Sequence, residues 1–369
     1  MKIKTLIPLL LLAQYCAGQS VVPVFTTPDT VCVNTPVNIS NTTTGASNYF
    51  WNFCVAGINS TPASLNLGNP GGLLAEPVFS DIIEDNGNFY AFVVNHLPGG
   101  LVRLDFGNSL LNTPAPVFLG NPGGAMNATN GGNEGIQVVK NEGKWYAIIV
   151  GGNPIYGPSW PRIVKIEFGA SITNNAPAGT NWGNLGLLNE PIDLHMFQDN
   201  GVWYGFTVNA ESNTITKFDF TNSFNNTPTA VNLGNIGSLN YPTGIYAIND
   251  NGNWRVFIGN AKPPFSLTRL DFGNSLLNIP VGTNLGNPGG VLNSPRDFTM
   301  LRLCGEISGY AVNGIGNDLV QFNFHNDLLS VPSGVSLGNT GNLNFPHSLS
   351  KLFRVGNDLY TLITNVNNN

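Results

Sequence analysis

Charge is scarce in this sequence. Its 369 residues include 15 Lys and Arg and 21 Asp and Glu, for a formal net charge of −6. No basic stripe is available to neutralise a phosphate backbone, so nucleic acid is excluded as a partner. Cysteine is scarcer still, at four residues. The four histidines, His96, His195, His325 and His347, fall at unrelated spacings and form no metal-ligand motif. Beyond the first residues no segment approaches the roughly 18 consecutive apolar residues of a membrane helix, and no span is expected. Helical periodicity is missing as well. Short apolar runs alternate with turn residues, among them 44 glycines and 25 prolines.

The first residues have the layout of an export signal. Lys2 and Lys4 precede an apolar run from Leu6 to Ala13, and Cys16-Ala17-Gly18 offers a small-residue cleavage site. Residues 1–18 are therefore read as a signal peptide, and the protein as secreted or displayed on the outer cell surface. A lipid anchor at Cys16 is the competing reading, and bulky Tyr15 argues against it. In an oxidising compartment Cys32 and Cys54 are expected to form a disulfide, with Cys304 left as a buried thiol.

From residue 59 the chain repeats. The tripeptide Leu-Gly-Asn starts at Leu67, Leu119, Leu233, Leu285 and Leu337, and Trp182 takes the leucine's place in one further copy. Most copies lie roughly 52 residues apart, a period of propeller blades or solenoid turns. Each period holds four strand signals. A run after a proline ends in a turn such as Asp250-Asn251-Gly252, and an aromatic run such as Lys144-Trp145-Tyr146 follows. An alternating run such as Leu267 to Phe272 comes next, then a crossing to the strand that ends in Leu-Gly-Asn. Four strands per period without helices predict an all-β, six-bladed β-propeller over residues 59–369. The chain enters on a fourth strand near Asn59 to Asn69 and reaches a first and second strand from Phe345 to Asn365. The last blade is thus expected to be incomplete, lacking a third strand that a longer chain would supply. A short, imperfect last blade is the alternative.

Residues 19–58 follow another pattern. The stretch from Asp29 through Cys32 to Tyr49-Phe50-Trp51-Asn52-Phe53 is strand, turn and strand, with Trp51 placed to fill a sandwich. It resembles the first half of a PKD-type immunoglobulin-like domain, although Cys54 stands where that family's pattern has glycine. With the repeats, the chain is similar to PKD and propeller-repeat modules of large surface proteins from gliding, Bacteroidetes-type bacteria. The resemblance implies surface display and an Ig-like half-domain into which the propeller is inserted.

Candidate chemistry lies in loops at one end of the expected channel. Aligned on the blade prolines, Glu134, Asp193, Arg296, Asp297 and His347 converge at its mouth. Glu134, Asp193 and Asp297 could act as acid and base on a glycosidic bond, or hold a hydrated Ca²⁺. No other cofactor is indicated. A solvated channel in which Arg296 neutralises Asp297 is the plainer alternative. Asn95, Asn209, Asn260, Asn313 and Asn365 end the second strand of successive blades, as turn caps or as a ring of amides. Beyond them stand His96, the loop carrying Tyr156 and Trp160, and Phe265, which would suit stacking against a sugar. These features predict a non-catalytic binding or adhesion module for a glycan or a surface protein. A propeller glycoside hydrolase or polysaccharide lyase is the first alternative, and a passive spacer the second.

Overall fold

The computed structural model describes residues 22–28, 37–46, 61–129, 132–303, 305–356 and 358–367. The expected signal peptide, Trp51 and all four cysteines lie outside these residues, and with them the expected disulfide. The chain divides into two units, Met1–Phe53 and Cys54–Asn369. In the first, the described residues form one antiparallel ladder of two residues per strand, Phe25–Thr26 with Ser40–Asn41. No Ig-like sandwich is evident among them.

The second unit contains five four-stranded antiparallel sheets. Blade 1 comprises Pro77–Asp85, Asn88–Asn95, Gly100–Gly107 and Ala115–Gly120. Blade 2 comprises Asn133–Asn141, Lys144–Gly151, Arg162–Gly169 and Ala178–Gly183. Blade 3 runs Pro191–Asp199, Val202–Asn209, Thr214–Thr221 and Thr229–Gly234. Blade 4 follows with Pro242–Asp250, Asn253–Asn260, Ser266–Gly273 and Val281–Asn284. Blade 5 has Pro295–Leu303, Glu306–Asn313, Asp318–His325 and Ser333–Gly338. The first strands of successive blades adjoin, and Pro346–Leu349 adjoins both blade 5 and blade 1 to close the ring.

The propeller is thus borne out, but its blade count is five and not six. Pro346–Leu349 pairs with Ile363–Asn365 alone, and Phe353–Val355 pairs with Asp358–Tyr360 as a separate sheet. The expected fourth strand near residues 61–69 is not formed. A fourth strand needs a third to pair with, and the described residues supply none there.

Local chemistry explains the repeat. The first hairpins turn at Asn86-Gly87, Asn200-Gly201 and Asn251-Gly252 with both residues at positive φ, the conformation that matches strand twist. The Asn of each Leu-Gly-Asn closes the following loop with two bonds to one residue. Asn287 Oδ1 accepts from Leu292 N at 2.8 Å while its Nδ2 donates to Leu292 O at 3.0 Å. Asn69, Asn121, Asn184, Asn235 and Asn339 do the same. The loop glycines allow the next blade to approach: a Cβ on Gly289 would stand 2.3 Å from the Gly334 carbonyl oxygen.

Between blades, aromatic and aliphatic side chains form the core, with Phe92, Phe206, Phe257 and Phe322 wholly buried. A polar clasp accompanies them. A cation on the third strand of each of blades 1 to 4 donates to a carbonyl in the crossing of the next blade. Arg103 reaches Ile172 O at 3.4 Å, Lys165 Phe224 O at 2.9 Å, Lys217 Leu276 O at 2.8 Å and Arg269 Leu328 O at 3.0 Å.

Replacing Asn287 by Ala removes both loop-closing bonds and leaves Leu292 N and O without their partner. The expected loss is about 1–3 kcal/mol in urea unfolding. A loss within error of zero would show that the Leu-Gly-Asn amide does not hold the loop.

Candidate functional site

Looking down the ring, the first strands send side chains into the channel in two layers. Asp193 Oδ2 accepts from Ile245 N of blade 4 at 2.8 Å, and Asp297 Oδ2 from Leu349 N at 2.8 Å. Their other oxygens accept from Leu194 N and Phe298 N at 2.7 and 2.6 Å. The next layer repeats the device: Asp81 Oδ2 accepts from Val138 N at 2.8 Å, and Gln137 Oε1 from Met196 N. Lys351 Nζ stands 3.1 Å from Asp81. Every one of these carboxyls is buried and staples one inner strand to the next. Burial raises Asp81, Asp193 and Asp297, and the Asp297 carboxyl raises Asp193 further. Burial likewise pushes His195 down to about 3. The space among these side chains is about 30 Å³, room for one water and far below a sugar ring.

The rim differs. Glu134 begins the inner strand of blade 2, with His96 Nε2 3.5 Å from its Oε1 and His347 Nδ1 4.0 Å from its Oε2. On its far side, His96 Nδ1 lies 3.2 Å from Glu76 Oε2. Arg296 lies over the Phe345 ring at 4.8 Å, and Lys262 over Tyr241 at 4.1 Å. Glu190 Oε1 accepts from Asn153 Nδ2 at 2.7 Å. Among the described residues, buried side-chain atoms without a hydrogen-bond partner include Glu134 Oε2, Glu190 Oε2, Arg296 Nε and His347 Nδ1. Their gathering at one rim marks a place where polar groups have been desolvated without being satisfied.

Electrostatics single out Glu134. Burial pushes its carboxyl up to about 7, against the pull of His96 and Arg296 and with the help of Glu190. Burial also raises Glu190, with Glu211 adding to it. His347 is held well below the ordinary imidazole range by burial, Arg296 and His96, so its ring is neutral at pH 7. Among the described residues no three of His, Cys, Asp and Glu are grouped to hold a metal ion.

Sequence reasoning reached Glu134, His96, Arg296 and His347, and the structure brings them together. It missed Glu76, Glu190, Tyr241 and Phe345. All four directly precede the first residue of an inner strand, a proline, and all four have positive φ, between 45° and 54°. Non-glycine residues rarely adopt this conformation, at a cost of roughly 1–2 kcal/mol each. The carbonyls of these residues are held by the neighbouring strand end, as in Ala210 N to Glu190 O at 3.0 Å. For Glu76 and Glu190, an acidic residue directly before a blade proline was the available signal.

Other candidates fall elsewhere. Asp193 and Asp297 lie below the rim in the stapling layer. The amides of Asn95, Asn209, Asn260 and Asn313 are buried and bond within their own blades. Asn209 Oδ1, for instance, accepts from Asn189 N at 3.1 Å and its Nδ2 donates to Thr216 Oγ1 at 2.9 Å. They cap turns. Phe265 packs partly buried against the core of blades 4 and 5. Tyr156 and Trp160 do form an edge-to-face pair, 6.0 Å between centroids, with Tyr156 45% exposed. Their loop starts at Asn153, the partner of Glu190.

No protein-family model and no curated protein sequence matches the chain. Solved structures similar to it include the Bacteroides ovatus xyloglucan PUL GH43B, at 14% identity and TM-score 0.44, covering 71% of this chain and 54% of that one. A thermostable family-43 glycoside hydrolase is 12% identical at TM-score 0.44, covering 80% and 95%. The catalytic domain of the Coprinopsis cinerea GH62 α-L-arabinofuranosidase is 13% identical at TM-score 0.42, covering 73% and 88%. The chain spans about half the length of the first of these. The expectation of a non-catalytic adhesion module is corrected on the rim itself, where Glu134 is raised to about 7 with one oxygen unpartnered and Glu190 is raised as well.

Stability should fall as pH rises. Glu134 binds its proton more tightly folded than unfolded, so its share is full below its ordinary pKa of 4.5 and is lost as pH passes about 7. That share is about 3 kcal/mol at most. Thermal melts from pH 4.5 to 8 should show the decline, and Glu134→Gln should make it shallower, the raised Asp297 and Glu190 carboxyls contributing the remainder. An identical slope in the variant would place the Glu134 titration elsewhere.

Proposed function

We propose that the propeller is a glycoside hydrolase of an exported protein, with Glu134 as general acid and Glu190 as the second carboxyl. The observation that carries this reading is Glu134 itself: a carboxyl raised to about 7 with one oxygen unpartnered at the rim, within electrostatic reach of a second, half-buried carboxyl, Glu190. A general acid works best with a pKa near the operating pH, since it must hold its proton and yet release it to the leaving oxygen. Arg296 acts on both carboxyls by its charge. It favours the ionised form of whichever has lost its proton, which suits a site where one carboxyl stays protonated and the other does not. Neutral His347 leaves Nδ1 available as a hydrogen-bond partner for a hydroxyl. The exposed Tyr156 and the adjoining Trp160 supply aromatic surface beside the Asn153–Glu190 pair, where a pyranose face can stack.

Assays on aryl glycosides and plant-type oligosaccharides test the proposal. Glu134→Gln should lower kcat/KM by about 10²–10⁴-fold, and the basic limb of the wild-type pH profile should fall near pH 7. Trp160→Ala should raise KM with a smaller effect on kcat. The reading is overturned if the intact, folded protein cleaves none of these substrates, or if Glu134→Gln retains full activity.

A further inference from the structure

A second cavity lies away from the rim, where blade 5 meets blade 1. It measures about 820 Å³ and runs between residues 61–68 on one side and residues 358–365 on the other. Its walls are apolar: Ile82, Leu104 and Leu110 of blade 1, and Leu319 and Leu337 of blade 5. Ile363–Asn365, on its border, pairs on one side with Pro346–Leu349 and has no strand on the other among the described residues. In each full blade, the strand that follows this position is the third, paired to the second and fourth and buried on both faces. Leu101, Val102 and Leu104 of blade 1 show that burial, each at most 2% exposed.

We propose that this slot binds an extended polypeptide strand, added in trans beside Ile363–Asn365, with the chemistry of the third strands: alternating Leu or Val and Phe around a central basic residue. The inter-blade clasp specifies the basic residue. The crossing carbonyls of Ile172, Phe224, Leu276 and Leu328 each receive a cation from the preceding blade. The equivalent residue of blade 1 is Leu110, which lines the slot. A basic side chain on the added strand is placed to reach its carbonyl. At the other wall the pattern changes in step. Blade 5 carries Gln321 where blades 1 to 4 carry Arg or Lys, and its amide donates to the Tyr310 hydroxyl at 3.2 Å. Backbone pairing along an open strand edge supplies affinity in such additions, and alternate side chains supply selectivity. This inference is independent of the chemistry at the rim.

A fluorescent peptide with the sequence of Ser266–Gly273 tests it by anisotropy against the full chain, with sedimentation velocity run alongside. Saturable binding is expected. A peptide with leucine in place of the arginine should bind tenfold or more weakly, as for loss of a charged hydrogen bond. A peptide with proline in place of the leucine after that arginine should not bind, because the ring blocks strand pairing. Absence of saturable binding, or equal binding of the proline peptide, overturns the proposal. So does a dimer of the chain that the peptide fails to dissociate, which would make a second copy the occupant.

Discussion

A blade of this propeller is apolar on both faces, and only its neighbours can cover them. That constraint governs the rest of the structure. Packing aromatic rings between sheets is not directional enough to fix how one blade sits on the next, and the polar clasps supply the direction. A cation from one third strand reaches a carbonyl in the following blade, and a carboxyl from one inner strand takes an amide hydrogen of the next. Each clasp spans one repeat. The longer interval after Leu119 is absorbed in the loop that carries Tyr156 and Trp160, so the Arg103–Ile172 clasp spans 69 residues where the other three span 59.

The same division keeps chemistry apart from scaffolding. Inside the ring, carboxyls are saturated by backbone donors and enclosed around a space for one water. At the rim, Glu134, Arg296 and His347 come from the starts of inner strands, while Glu76, Glu190, Tyr241 and Phe345 stand in a left-handed conformation just ahead of a proline, a position whose backbone is held by the neighbouring strand end. Exchanging such a side chain alters the rim without disturbing a strand. Four polar atoms without a hydrogen-bond partner collect there, on Glu134, Glu190, Arg296 and His347.

Much of the fold was legible in the sequence, since hairpin turns, alternating runs and Leu-Gly-Asn recur with local and physical causes. The count of blades was not, because strand signals at residues 61–69 and 345–365 are only potential partners until a third strand joins them. Among site residues, Arg296 and His347 could be found by aligning prolines, and Glu134 by aligning Gly135-Ile136 with Gly244-Ile245. Asp193 and Asp297 stood out for the same reason, yet only their backbone partners reveal a stapling role. Asp81 escaped notice because it sits two residues further along its strand than Asp193 does, in the other layer. Glu190 and Tyr241 were invisible for a different reason: their importance comes from a backbone conformation, which the residue before a proline does not announce by its own type.

The stapled interior has a consequence for traffic. Asp81, Asp193, Asp297, His195 and Lys351 line a space in the ring of only about 30 Å³. A polymer cannot be threaded through so narrow a space, so whatever meets the rim meets it from one side.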